Sequence, residues 1–110
     1  MPIRYAHTNI ISKDWKKLAD FYVKVFYCKP VPPVRELGGE WLAKGTAVEN
    51  AKLKGMHLRL PGHGESGPTL EIYSYEEMLE NSKPPEANRK GFGHLAFEVD
   101  DVEDILEIMI

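Results

Sequence analysis

The segment Gly91 to Ile110, GFGHLAFEVDDVEDILEIMI, repeats the opening of the chain, and no other feature narrows the possible folds as much. Laid over Tyr5 to Val23, it places His94 on His7, Phe92 on Tyr5, Phe97 on Ile10 and Asp101 on Asp14, a constant offset of 94 − 7 = 87. The apolar positions that follow keep the same offset. Trp15, Leu18, Ala19 and Tyr22 form an i, i+3, i+4, i+7 stripe, and Val102, Ile105, Leu106 and Met109 repeat it. Exact identity covers only the histidine and the aspartate, yet hydrophobic phase, acidic start and strand histidine all coincide. Such a match predicts a structural repeat, in which two units each open with a strand followed by a helix.

A chain of 110 residues is one domain, with enough length for a core. No apolar run approaches the roughly 20 residues that span a bilayer, and no charged-then-apolar leader opens the sequence, so a cytoplasmic protein is expected. The single cysteine, Cys28, has no intramolecular partner, in keeping with a reducing compartment. A net charge of −3 argues against the broad basic surface that nucleic acid requires. Small molecules and other proteins remain as partners.

Ile3 to Ile11 reads as a strand with Tyr5, His7, Asn9 and Ile11 on one face and Ala6, Thr8 and Ile10 on the other. Ser12 or Asp14 caps the next helix, whose stripe continues through Val25 and Phe26 and which ends near Tyr27 or Cys28. Lys29 to Leu37 holds three prolines, so it is an edge strand or an extended segment, because each proline removes a ladder donor. After the Gly38–Gly39 turn, Glu40 to Asn50 is expected to be a loop or short helical turn over a cavity mouth. Lys52 to Leu60 and Thr69 to Tyr75 are strands joined by the hairpin connection PGHGESGP. Residues 76–90 are polar with Pro84 and Pro85, and read as a linker between a first unit, 1–75, and the start of a second, 91–110.

The first unit is therefore β, α, β, β, β, whereas the second starts β, α. Counterparts of Lys29 to Tyr75 would fall near 29 + 87 = 116 to 75 + 87 = 162, so the second unit is expected to stop after its helix. Either the chain is a fragment of a longer domain, or another chain supplies what is missing; a half-built unit leaves an open strand edge and an uncovered helix face, both of which favour association.

His7, Glu71 and His94 each lie inside an expected strand, flanked at i±1 by residues suited to the helix layer: Ala6 and Thr8, Leu70 and Ile72, Gly93 and Leu95. Their side chains accordingly point to the opposite, concave face. Two imidazoles and a carboxylate converging there are satisfied together by a divalent metal: zinc, nickel, cobalt, iron or manganese. A lone strand histidine is more often a hydrogen-bonded structural residue than a ligand, but two at equivalent points of a repeat change that balance. His57 and His63 have no repeat partner, and are read as a cavity-wall or packing residue and a solvated loop residue. Cys28 is read as an inert helix-end residue. Arg35, Arg59 and Arg89 are available to an anionic substrate, although most arginines on strands and loops are simply solvated.

The segments HTNIISKDWKKLADFYVKVF, MHLRLPG, PTLEIY and NRKGFGHLAFEVDDVED resemble the vicinal oxygen chelate superfamily, which includes glyoxalase I, methylmalonyl-CoA epimerase, extradiol dioxygenases and bleomycin-resistance proteins. The resemblance runs over nearly the whole chain. It implies an α+β fold of paired βαβββ modules whose sheets form a cup, here with the second module truncated after its first strand and helix. It also implies metal ligands on the first and last strands of each module: His7 and Glu71 from the first, His94 from the second. The family's fourth ligand, usually a Glu on the last strand of the second module, has no counterpart, which puts activity of this short form in doubt. Tyr27 stands where the family commonly has a glycine after the helix.

The function this resemblance implies is a metal-dependent, glyoxalase I-like isomerase or lyase. It would act on a small molecule with adjacent oxygens through an enediolate, with Glu71 as the catalytic base. Asn9, Tyr73, Phe92 and Arg59 are the candidate substrate-binding residues, and a homodimer completing the cup across its interface is the expected assembly. One alternative is an Fe(II) extradiol dioxygenase, although in those relatives the carboxylate comes from the second module. Another is a metal-free drug- or ligand-binding module, which has no need of the His and Glu set.

Overall fold

Alternation along residues 53–59 and 69–75 sends Leu58, Leu70 and Ile72 to one face of a sheet, and these side chains are fully buried. In the computed structural model of the chain, which describes residues 2–81, 83–91 and 93–109, they lie beneath the first helix. The elements are β1 (His7–Ile11), α1 (Trp15–Phe26), β2 (Lys29–Gly38), α2 (Glu40–Thr46), β3 (Lys52–Arg59), β4 (Thr69–Tyr75) and α3 (Val102–Met109). The chain divides into two units, Met1–Met78 and Leu79–Ile110.

In the first unit the four strands form one sheet in the order β1-β4-β3-β2, with β1 parallel to β4 and the other pairs antiparallel. This is the α+β, βαβββ arrangement expected, with α2 added where a loop or helical turn was anticipated. Each of the three buried aliphatic side chains contributes about 1.5–3 kcal/mol by leaving water. α1 reaches them through Ala19 and Val25, the two buried members of its stripe. The turn before α1 is held to β4 by Ser12 N–H to Tyr73 O (2.9 Å), Trp15 N–H to Ser74 Oγ (2.9 Å) and Ser74 Oγ–H to Ser12 O (2.6 Å). On the opposite face Leu42 of α2 packs with Ala51, Leu53 and Tyr73, closing one end of that face.

β1 is shorter than Ile3 to Ile11. Among the described residues its only neighbour is β4, which begins at Thr69 opposite His7, and Thr69 N–H to Ala6 O (3.0 Å) is the last bond between them. Residues before Ala6 thus have no ladder to join, whatever their propensity. The prolines of β2 sit as expected on an edge strand. Between the Val31–His57 and Arg35–Gly55 pairs three residues of β2 face one of β3, so this bulge inserts two residues and leaves Arg35 on the face that Val31 occupies.

Asp14 caps α1, its carboxylate accepting from Lys17 N–H at 3.1 Å. At the other end Cys28 N–H bonds to Tyr22 O (3.2 Å) while Tyr27 takes the left-handed conformation at φ 57°. A side chain there costs about 1–2 kcal/mol. Tyr27 is 70% exposed, so little packing offsets that cost. Tyr27→Gly is expected to stabilise the fold by about 1 kcal/mol, read from the urea midpoint, and an unchanged or lower midpoint would show that the ring's contacts outweigh the strain. Cys28 beside it is buried, and that burial pushes its thiol up to about 11, as suits an inert residue.

In the second unit α3 begins at 102, where the repeat offset places it (102 − 15 = 87). Asp101 caps it, accepting from Glu103 N–H (2.9 Å) and Asp104 N–H (3.3 Å) as Asp14 does for α1. The strand expected before it does not form: among the described residues of 91–99 none joins a ladder. Apolar alternation supplies strand propensity, but a strand also needs a partner for its N–H and C=O groups.

Candidate functional site

Glu71 lies on β4, an inner strand, and the register brings its neighbours into rows across the unburied face of the sheet. Asn9, Glu71, His57 and Val31 form one row. His7, Thr69 and Arg59 form the row on one side, and Ile11, Tyr73, Gly55 and Arg35 the row on the other. Side chains two apart along a strand share a face, so all of these emerge on the side away from α1.

The Glu71 carboxylate stands between two imidazoles. Its Oε1 is 3.4 Å from His7 Nε2 and its Oε2 is 3.3 Å from His57 Nε2. His57 Nε2 also meets the Tyr73 hydroxyl at 2.6 Å. Burial is the main force holding the His57 imidazole below its ordinary pKa; Arg35, His7 and Arg59 act in the same direction, and Glu71 opposes them. Tyr73 is pushed up, first by burial and then by the Glu71 charge, so the phenol stays protonated.

The structure brings His7 and Glu71 within 3.4 Å of each other, and sets His57, read from the sequence as a cavity-wall or packing residue, in the wall of the same cavity. The hairpin contained the signal. Leu60 N–H bonds Pro68 O, and every later pair of β3 with β4 preserves the sum 60 + 68 = 128, so counting back from the loop sets His57 opposite Glu71. His94 belongs to the second unit. Among the candidate substrate-binding residues, Asn9 donates its Nδ2 hydrogen to the Glu71 backbone oxygen at 3.0 Å, tying β1 to β4. Tyr73 is buried, with its hydroxyl on His57. Arg59 lines the same cavity as His7, His57 and Glu71 and donates to Gly67 O at 2.5 Å. Phe92 lies outside the described residues. Arg89 pairs with Glu86 at 2.8 Å in the second unit.

The cavity over this carboxylate measures about 410 Å³. A larger one, about 660 Å³, lies toward the other end of β3 and β4, lined by Trp15, Leu37, Leu53 and Tyr75. Its lining contains no histidine, and its Lys54 and Glu36 pair with each other at 2.8 Å.

Ligands about 2.0–2.2 Å from one ion lie about 3–3.5 Å from each other. The His7–Glu71 spacing of 3.4 Å fits two adjacent ligands. Among the described residues no group of three or more His, Cys, Asp or Glu is arranged to hold a metal.

The sequence model of the Glyoxalase/Bleomycin resistance protein/Dioxygenase superfamily matches residues 4–109, almost the entire chain. The chain belongs to that superfamily. Two solved structures of the same superfamily fold extend the comparison. The first, a glyoxalase family protein from Bacillus cereus, superposes with a TM-score of 0.81 at 13% identity, over 97% of this chain and 70% of its own. The second, the fosfomycin resistance protein FosX from Listeria monocytogenes complexed with Mn(II) and 1S,2S-dihydroxypropylphosphonic acid, gives a TM-score of 0.56 at 17% identity, over 99% and 68%. At such identities the likeness is one of fold. No curated protein matches the sequence. No helix among the described residues is long and apolar enough to cross a membrane.

The lowered His57 pKa gives a pH dependence of definite sign. Below its ordinary value of 6.5, the unfolded chain binds a proton at His57 that the folded chain resists. This contribution to stability is therefore fully present above about pH 6.5 and is lost as the pH falls below it. His57→Gln is expected to flatten that portion of the profile, measured as urea midpoints from about pH 5 to 7.5. An unaltered slope in the variant would assign the pH dependence to other groups.

Proposed function

We propose that the chain is a metal-dependent, glyoxalase I-like isomerase or lyase that acts on a small molecule carrying two adjacent oxygens. The observation that supports this most is Glu71, a carboxylate only 16% exposed on an inner strand, with an imidazole against each oxygen. His7 and Glu71 would hold a divalent ion, zinc, nickel, cobalt, iron or manganese. When bound, such an ion polarises adjacent substrate oxygens and acidifies the neighbouring C–H bond.

Glu71 is the general base. One carboxylate oxygen faces His7 and the other faces His57, so the second can receive a proton while the first keeps its partner. His57 steadies that second oxygen and is itself anchored by Tyr73. Asn9 fixes the Glu71 backbone, and Arg59 orients substrate at the cavity wall. Phe92 is retained as a substrate-contacting residue. A cytoplasmic homodimer is the proposed assembly, supported by the exposed apolar residues of α3: Val102 at 63%, Leu106 at 52% and Met109 at 49%.

The test uses the whole chain, loaded anaerobically with each metal in turn. Metal content, hemithioacetal isomerisation and catechol ring cleavage are measured on wild type and His7→Ala. Metal-dependent isomerisation that is lost in His7→Ala is the expected result. Yellow ring-cleavage product would favour the dioxygenase reading, and ligand binding with no metal uptake would favour a binding module.

A further inference from the structure

The cavity over Glu71 is cationic, although the chain as a whole carries −3. Arg4, Arg35 and Arg59 line it against the single carboxylate of Glu71, an excess of 3 − 1 = 2 positive charges with both histidines neutral. Arg59 and Arg35 stand on the rows to either side of the Glu71–His57 row, so their guanidinium groups flank the carboxylate rather than pair with it. Among the described residues none of the three makes an ion pair with an acid.

Two of these arginines are already held in place. Arg59 donates one Nη1 hydrogen to Gly67 O at 2.5 Å, and Arg35 donates through Nη1 to Val31 O and to Pro33 O, the latter at 2.7 Å. Both are partly buried, and each keeps its Nε and Nη2 donors for a ligand. A guanidinium fixed in this way loses less side-chain freedom on meeting an oxyanion, and its planar fork suits a carboxylate or phosphate group. A cationic ligand would be repelled. A neutral apolar ligand would strip water from the guanidinium groups without replacing their hydrogen bonds, which is costly.

We propose that this cavity recognises its substrate through a dianionic oxyanion group, a phosphate, phosphonate or dicarboxylate, clamped by Arg35 and Arg59 with Arg4 at the rim. The proposal rests on the reading of this face as a substrate site, and it adds the chemical class of what binds there. A dianion matches the charge excess of two, whereas a monocarboxylate leaves half of it uncompensated.

The experiment is calorimetric or NMR titration of the whole metal-free chain with inorganic phosphate, methylphosphonate, malonate, acetate and acetamide at constant ionic strength. The dianions should bind at least about tenfold more tightly than acetate, and acetamide should not bind. Phosphate against malonate separates a tetrahedral preference from a planar one. Arg35→Gln and Arg59→Gln should each weaken dianion binding about tenfold to a hundredfold, as loss of a charged hydrogen bond requires. Lys16→Gln, at an exposed position of α1, should leave it unchanged. Circular dichroism checks folding. If Arg59→Gln fails to fold for want of its Gly67 bond, Arg35→Gln and the rim variant Arg4→Gln decide the matter. Equal binding of acetamide and phosphate, or dianion binding unaltered in the folded arginine variants, overturns the proposal. A Mn(II) titration of the same samples separates the two readings. Metal uptake without dianion binding sinks this inference alone, whereas dianion binding without metal uptake sinks the metalloenzyme reading alone.

Discussion

Replacing Gly55 with alanine is expected to cost at least about 3 kcal/mol, a large share of the roughly 5–15 kcal/mol that holds a domain of this size together. A Cβ at position 55 would lie 2.0 Å from Ile72 O and 2.3 Å from Tyr73 Cδ1. The first of these atoms is backbone in the middle of the sheet and has no rotamer to escape into. Relief would require separating β3 from β4 where Ile72 is buried on the far side of the same ladder. The damage would extend to the site, because Tyr73 shares its row with Gly55 and anchors His57. Gly45 provides the control. It lies within α2 with nothing within 4 Å of a built Cβ, so Gly45→Ala should be neutral or stabilise by up to about 1 kcal/mol. Urea denaturation of the two variants decides the matter, and a Gly55→Ala midpoint within error of wild type would show that the sheet can open there.

Glu71→Gln is expected to weaken divalent metal binding at least about a hundredfold and to lower turnover by about 10²–10⁴, the contribution of a positioned general base. Glutamine keeps the shape of the side chain but removes the charge that faces His7 and His57, and with it the ability to receive a proton as a base. The fold should survive, since Leu70 and Ile72 on either side supply the packing and Asn9 bonds the backbone of residue 71 rather than its carboxylate. Calorimetric metal titration, turnover and the urea midpoint are measured together. Loss of stability with metal affinity retained would assign Glu71 a structural role. Unchanged turnover with metal still bound would remove it as the base.

Local pattern made much of this molecule legible. The 3.6-residue period set both helices, and the repeat offset placed their starts and their aspartate caps. The two-residue period sorted Leu70 and Ile72 from Glu71, and the prolines of Lys29 to Leu37 marked an edge strand. The same reasoning overextended β1 to Ile3 and supplied a strand over 91–99, because propensity says nothing about whether a ladder partner is present.

The sequence by itself determined where α1 and α3 lie and which face each side chain of β3 and β4 takes, since both follow from backbone geometry within a few residues. Only the tertiary structure decided which faces meet. His57 stands against Glu71 because a hairpin register set from Leu60 and Pro68 carries it there. Arg35 joins the same cavity because a two-residue bulge at Pro32 and Pro33 holds it opposite Gly55, one row from Glu71, where unbroken pairing would have carried it to Leu53. Partners such as these are separated by tens of residues along the chain, and their meeting depends on strand order and register, which no local period encodes.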